Sequence, residues 1–162
     1  MTIGRWAVVA ALALSFWGGG VARAESASCE VPIVHAMHNG DDGQAPSIDP
    51  QINRLRPYLL KAPFTAWQDF KLLGRQELTV PLHGSQSFEL PNGRTASLTF
   101  IGHSSGPGDH RLRLKLLIED KSKKDKMVET IFVLDEGGFV LMVGQRFQGG
   151  ILILAVSCKT HD

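Results

Sequence analysis

The side chains able to do chemistry fall into a few groups. His35 and His38, three apart and followed by Asp41 and Asp42, offer imidazole and carboxylate donors of the kind that suit zinc or copper. Around a glycine-rich stretch stand His103, Ser104, Ser105, Asp109 and His110, the residue types of a nucleophile, base and orienting acid. Arg111, Arg113 and Lys115 alternate with leucines, and Lys121, Lys123, Lys124 and Lys126 follow. The only two cysteines are Cys29 and Cys158.

Spacing decides how far each group goes. No His-Glu-x-x-His, Cys-x-x-Cys or EF-hand pattern is present, so His35, His38, Asp41 and Asp42 match no metal signature. On a strand, positions 35 and 38 point to opposite faces. No metal or other cofactor is expected. The Ser-His-Asp reading has no Gly-x-Ser-x-Gly elbow and no evident oxyanion hole, and no catalytic residue is assigned. The lysine run reads as a wetted hairpin tip, partly neutralised by Asp120 and Asp125. Together with Arg111, Arg113 and Lys115 it forms the best binding surface that charge alone suggests, if all lie on one face. Binding there would weaken with salt.

The N-terminus sets the compartment. Arg5, an apolar run from Trp6 to Trp17 and Ala22-Arg23-Ala24 make residues 1–24 a secretory signal peptide cleaved after Ala24. The run is shorter than the roughly 20 residues that span a bilayer, so no transmembrane helix is expected after cleavage. Residues 25–162 then form a single β-rich domain. Losing Arg5 and Arg23 reduces 17 basic groups to 15 against 16 acidic ones, a net charge of −1. Such a chain has no field for steering polyanions, and nucleic acid is not an expected partner. In an oxidising compartment an even cysteine count favours a Cys29–Cys158 disulfide. Because it closes nearly the whole domain into one loop, loop entropy gives it an upper worth of about 4 to 5 kcal/mol. The alternatives are free thiols or a lipidated Cys29.

The elements follow from periodicity. Residues 31–37 are a short apolar strand, expected at a sheet edge because Pro32 lacks a ladder donor. Asp49-Pro50 opens an amphipathic helix carrying Ile52, Leu55, Leu59 and Leu60, with Pro57 kinking it and Ala62-Pro63 ending it. Phe64, Trp67 and Phe70 are expected to pack on the sheet. A strand then runs to Pro81, with Gly74 a candidate bulge. Asn92-Gly93 between alternating runs marks a hairpin. Leu112, Leu114 and Leu116 define a strand with one dry and one basic face, paired with residues 127–134. Two glycine-bounded apolar runs, residues 139–143 and 151–158, form a last hairpin buried on both faces. Strands in series without alternating helices exclude a doubly wound sheet. The expected architecture is mainly β: an antiparallel β-sandwich of about seven strands with an N-terminal helical insertion.

Ile48-Asp49-Pro50 opening a helix, Phe70-Lys71-Leu72-Leu73, Leu90-Pro91-Asn92-Gly93-Arg94 and Gly149-Gly150-Ile151-Leu152-Ile153 together resemble small exported bacterial proteins of uncharacterised function. The resemblance covers nearly the whole domain and implies a shared sandwich in a Gram-negative envelope, with no functional residue to carry over. The expected role is a non-catalytic binding or structural module in a periplasmic or cell-surface assembly, its partner another envelope protein or surface component. The alternative is a small-molecule or metal-binding periplasmic protein.

Overall fold

The structure is a computed structural model that describes residues 25–40, 43–105, 109–120 and 125–161. Residues 1–24, expected to be a signal peptide, and Asp41, Asp42, Lys121, Lys123 and Lys124 lie outside the described residues. Two sheets are formed. The first has five strands: β1 (Ser26–Met37), β2 (Ser47–Ile48), β3 (Asp69–Pro81), β8 (Val140–Phe147) and β9 (Gly150–His161). Their order is β2-β3-β1-β9-β8. The second has four, in sequence order: β4 (Ser85–Glu89), β5 (Thr95–His103), β6 (Arg111–Asp120) and β7 (Asp125–Asp135). All pairings are antiparallel except the two-residue contact of β2 with β3. The mainly β sandwich expected from the sequence is present, with nine strands among the described residues rather than about seven.

The inner core lies between the sheets. Alternate residues of β1 (Ala27, Cys29, Val31, Ile33) and β9 (Leu152, Leu154, Val156, Cys158) meet Leu98 and Phe100 of β5 and Leu112, Leu114, Leu116 and Ile118 of β6. A second apolar layer covers the other face of the five-stranded sheet. There Val34, Ala36, Phe70, Ile153 and Ala155 are buried under Ile52, Leu55, Leu59 and Phe64 of the helical segment. β9 is therefore dry on both faces, which is why residues 151–156 are uninterruptedly apolar. β8 is not. It closes the sheet as an edge strand, half-buried along its length, with Val143 50% exposed.

Cys29 and Cys158 are joined directly across the β1–β9 ladder, Cα atoms 4.1 Å apart and 129 residues apart in sequence. β1 is not an edge strand, contrary to the expectation drawn from Pro32. It pairs with β3 on one side and β9 on the other, and its pairing with β9 skips Val31 and Pro32. The sheet tolerates proline by omitting the bonds that would need its missing N–H.

The helical segment also departs from one regular helix. Asp49 caps it, accepting from the Gln51 amide at 2.9 Å and reaching the Leu72 amide of β3 at 3.3 Å. A 3₁₀ stretch over Pro50–Leu55 leads into a single α-helical turn, α1 (Arg56–Leu59). The change of pitch breaks the apolar stripe. Ile52, Leu55 and Leu59 are buried, and Leu60 is 41% exposed. Near Gly74 the β1–β3 register shifts and Leu73 becomes an extra residue, the expected bulge. The Asn92-Gly93 turn joins β4 to β5 with Gly93 at φ +81°, a conformation that suits glycine.

Candidate functional site

Three regions gather polar or reactive side chains. The first is the outer face of the four-stranded sheet. On β6, Leu112, Leu114, Leu116 and Ile118 face the core while Arg111 and Arg113 are exposed and Lys115 is half-exposed. Register sets their neighbours. Arg113 stands opposite Val133 of β7, and Lys115 stands between Thr99 of β5 and Ile131 of β7. Ser85 and Ser87 of β4 continue the rows beyond Thr99 and Ser97, through the Ser87–Ser97 hydroxyl contact at 2.7 Å and the Thr99–Ser85 bond at 3.2 Å. Ile131 is 53% and Val133 46% exposed. Among the described residues Arg113 and Lys115 make no ion pair. Arg111 is engaged, with its guanidinium on both carboxylate oxygens of Asp109 and on Ser105 Oγ. The predicted basic strip thus divides into one tied cation and two free ones. The Lys126 backbone belongs to β7, opposite Glu119.

The second region lies at one end of the sandwich. His103 donates from Nε2 to Glu25 Oε1 and from Nδ1 to the Asp109 carbonyl, each at 2.5 Å. A carbonyl oxygen and an ionised carboxylate can only accept, so with Glu25 charged the arrangement is complete when the ring carries two protons. The Glu25 hydrogen bond raises the His103 pKa against the opposing effect of burial, helped by the Asp109 carbonyl and by Glu136. Asp109 is held at about 2 by hydrogen bonds from Arg111 and, less, from Ser105. Burial pushes Glu136 up, but bonds from Thr160 and His110 outweigh it and leave the group below its ordinary value. The Ser-His-Asp reading is not assembled. The Asp109 carboxylate faces Arg111, and His103 meets Asp109 only at its backbone carbonyl.

The third region is a cleft of about 480 Å³ beside the β8–β9 turn, lined by Trp67, Arg146, Phe147, Gln148, Gly149, Gly150 and Ile151. The two histidines weighed as metal ligands and set aside stand behind its walls. His35 is buried, and its Nε2 donates to the Phe147 carbonyl at 2.9 Å. Its ring also meets the Phe147 ring edge-on, centroids 5.2 Å apart. His38 is exposed, its ring 4.5 Å from that of Trp67 and its Nδ1 3.1 Å from Gln68 Oε1. No group of three metal-ligating side chains comes together among the described residues. Trp67, expected to fill the core, packs against the outer apolar layer yet also lines the cleft.

Sequence reasoning passed over Glu25, Glu136, Arg146 and the exposure of Ile131 and Val133. For the last two a signal existed. Ile131-Phe132-Val133-Leu134 is a continuous apolar run in a strand that pairs on one side only. Arg146 had none, because it shares a cleft with Trp67, far away in sequence.

Fold and sites define a mainly β protein of two stacked sheets, closed by a disulfide between neighbouring strands. Among the described residues no helix is long and apolar enough to cross a membrane. No protein-family model, curated protein or solved structure matches the chain.

Proposed function

We propose that the chain is a non-catalytic, exported module of a Gram-negative envelope that binds another envelope component through the outer face of its four-stranded sheet. One observation carries this reading. Two cations unpaired among the described residues, Arg113 and Lys115, lie directly beside two exposed branched side chains, Val133 and Ile131. Apolar side chains on the edge strand β7, next to unspent charge on β6, suit a partner that adds a strand and covers them. A cystine joining β1 to β9 supports a life outside the reducing cytoplasm, as does the leader-like sequence of residues 1–24.

The reading is tested by crosslinking in envelopes that contain either the natural chain or an Arg113→Glu/Lys115→Glu variant. The expected result is one discrete adduct, sensitive to salt and lost in the variant. The same adducts with both chains, or none with either, would refute it.

A further inference from the structure

The cleft at the β8–β9 turn is built independently of the open sheet face. Its two aromatic walls are fixed from behind. Trp67 rests against the His38 ring, which is itself held by Gln68. Phe147 is held through its ring and its carbonyl by His35. The floor leaves no room for a side chain at position 150, where a Cβ would fall 2.1 Å from the Ala36 carbonyl oxygen and 2.9 Å from His35 Nε2. The turn beside it places Gln148 at φ +43° and Gly149 at φ +76°, which brings the chain tightly back on itself.

One charge lines this cleft. Arg146 is exposed and lines the cleft, and it has no ion pair, hydrogen bond or ring partner among the described residues. Arg54 is different. It lies 5.1 Å from the Phe139 centroid and is also paired with Glu30 at 3.5 Å. Arg146 is thus the unspent one. An aromatic wall favours the flat face of a ring. A guanidinium fork matches a planar carboxylate by two parallel bonds. With one cation present, a singly charged group is better balanced than a phosphate dianion. A volume of about 480 Å³ falls within the roughly 300 to 1,000 Å³ usual for small-ligand sites.

We propose that this cleft binds a ring-bearing carboxylate, either a sugar acid or an aryl acid, with the ring against Trp67 and the carboxylate on Arg146. The site goes beyond the sheet-face interaction and does not depend on it.

Trp67 supplies the readout. In the full chain carrying Trp6→Phe and Trp17→Phe it is the only indole, so its fluorescence reports this cleft alone. Galacturonate and its trimer probe the sugar source, benzoate the aryl source, and galactose serves as the uncharged control. A saturable change is expected with the sugar acids or with benzoate, whichever source the ring comes from. Galactose should bind at least about tenfold more weakly, and Arg146→Ala should raise Kd about tenfold or more while leaving the melting temperature unchanged. If no acid gives a saturable change up to about 10 mM, or if Arg146→Ala binds as the parent does, the proposal is overturned. Arg113→Glu/Lys115→Glu should leave the titration unchanged, so this test and that of the sheet face fail separately.

Discussion

The two sheets solve the same problem differently. The five-stranded sheet is covered twice, by its partner sheet on one side and by the helical segment on the other. The four-stranded sheet is covered once. The difference is visible side by side in single strands: β9 is apolar at every position from 151 to 156, and β6 alternates leucine with arginine and lysine from 111 to 116. Burial is doubled where both faces are dry, and among the described residues the outer face of the four-stranded sheet has no second apolar layer over it.

The comparison breaks first if the second apolar layer is only decorative. Phe70 is fully buried beneath the helical segment. Phe70→Ala should cost about 3 to 5 kcal/mol, as a core truncation does, and chemical denaturation would measure it. A loss under about 1 kcal/mol, the scale of ordinary surface changes, would make the helical cover peripheral.

Removing the crosslink sharpens the same contrast. Cys29→Ala/Cys158→Ala should lower unfolding free energy by about 2 to 5 kcal/mol. Reductant should lower the melting temperature of the natural chain and leave that of the variant unchanged.

A smaller effect concerns the His103 end. Because Glu25 raises the His103 pKa in the folded state, the native protein holds that proton more tightly than the unfolded chain does. The contribution to stability is therefore complete below the unfolded value of about 6.5 and is lost as pH rises through the higher folded one. Denaturation midpoints should fall modestly across that window, and His103→Asn should flatten the profile. A midpoint that rises there in the natural chain alone would reverse the assignment.

Smallest is the open face itself. Ile131→Ser and Lys115→Ala should each shift stability by no more than about 0.5 kcal/mol. A loss comparable to that at Phe70 would mean that this face, too, is structurally occupied.

Legibility in the sequence follows the range of the interactions. The Asn92-Gly93 hairpin and the β6 alternation are local patterns, and each is found where its residues place it. The Cys29–Cys158 bond could be anticipated because two cysteines in one domain leave a single internal pairing. Pro32 misled because edge placement is only one way to accommodate a missing donor; a gap in one ladder of a central strand is another. Leu60 misled because a 3₁₀ stretch changes the angular step along the helical segment. The cleft was hidden for a different reason. Trp67 and Arg146 come to one cleft, with His38 against Trp67, only through the ends of β1, β3 and β8, and no short motif encodes that arrangement.

Ser26 pairs with His161, so the first and last strands end together, three residues beyond the cystine. Tension applied between residues 26 and 161 would therefore run into a covalent stop almost at once. Pulled from those two residues, the domain would yield only a few residues of slack while everything between the two cysteines bears no load.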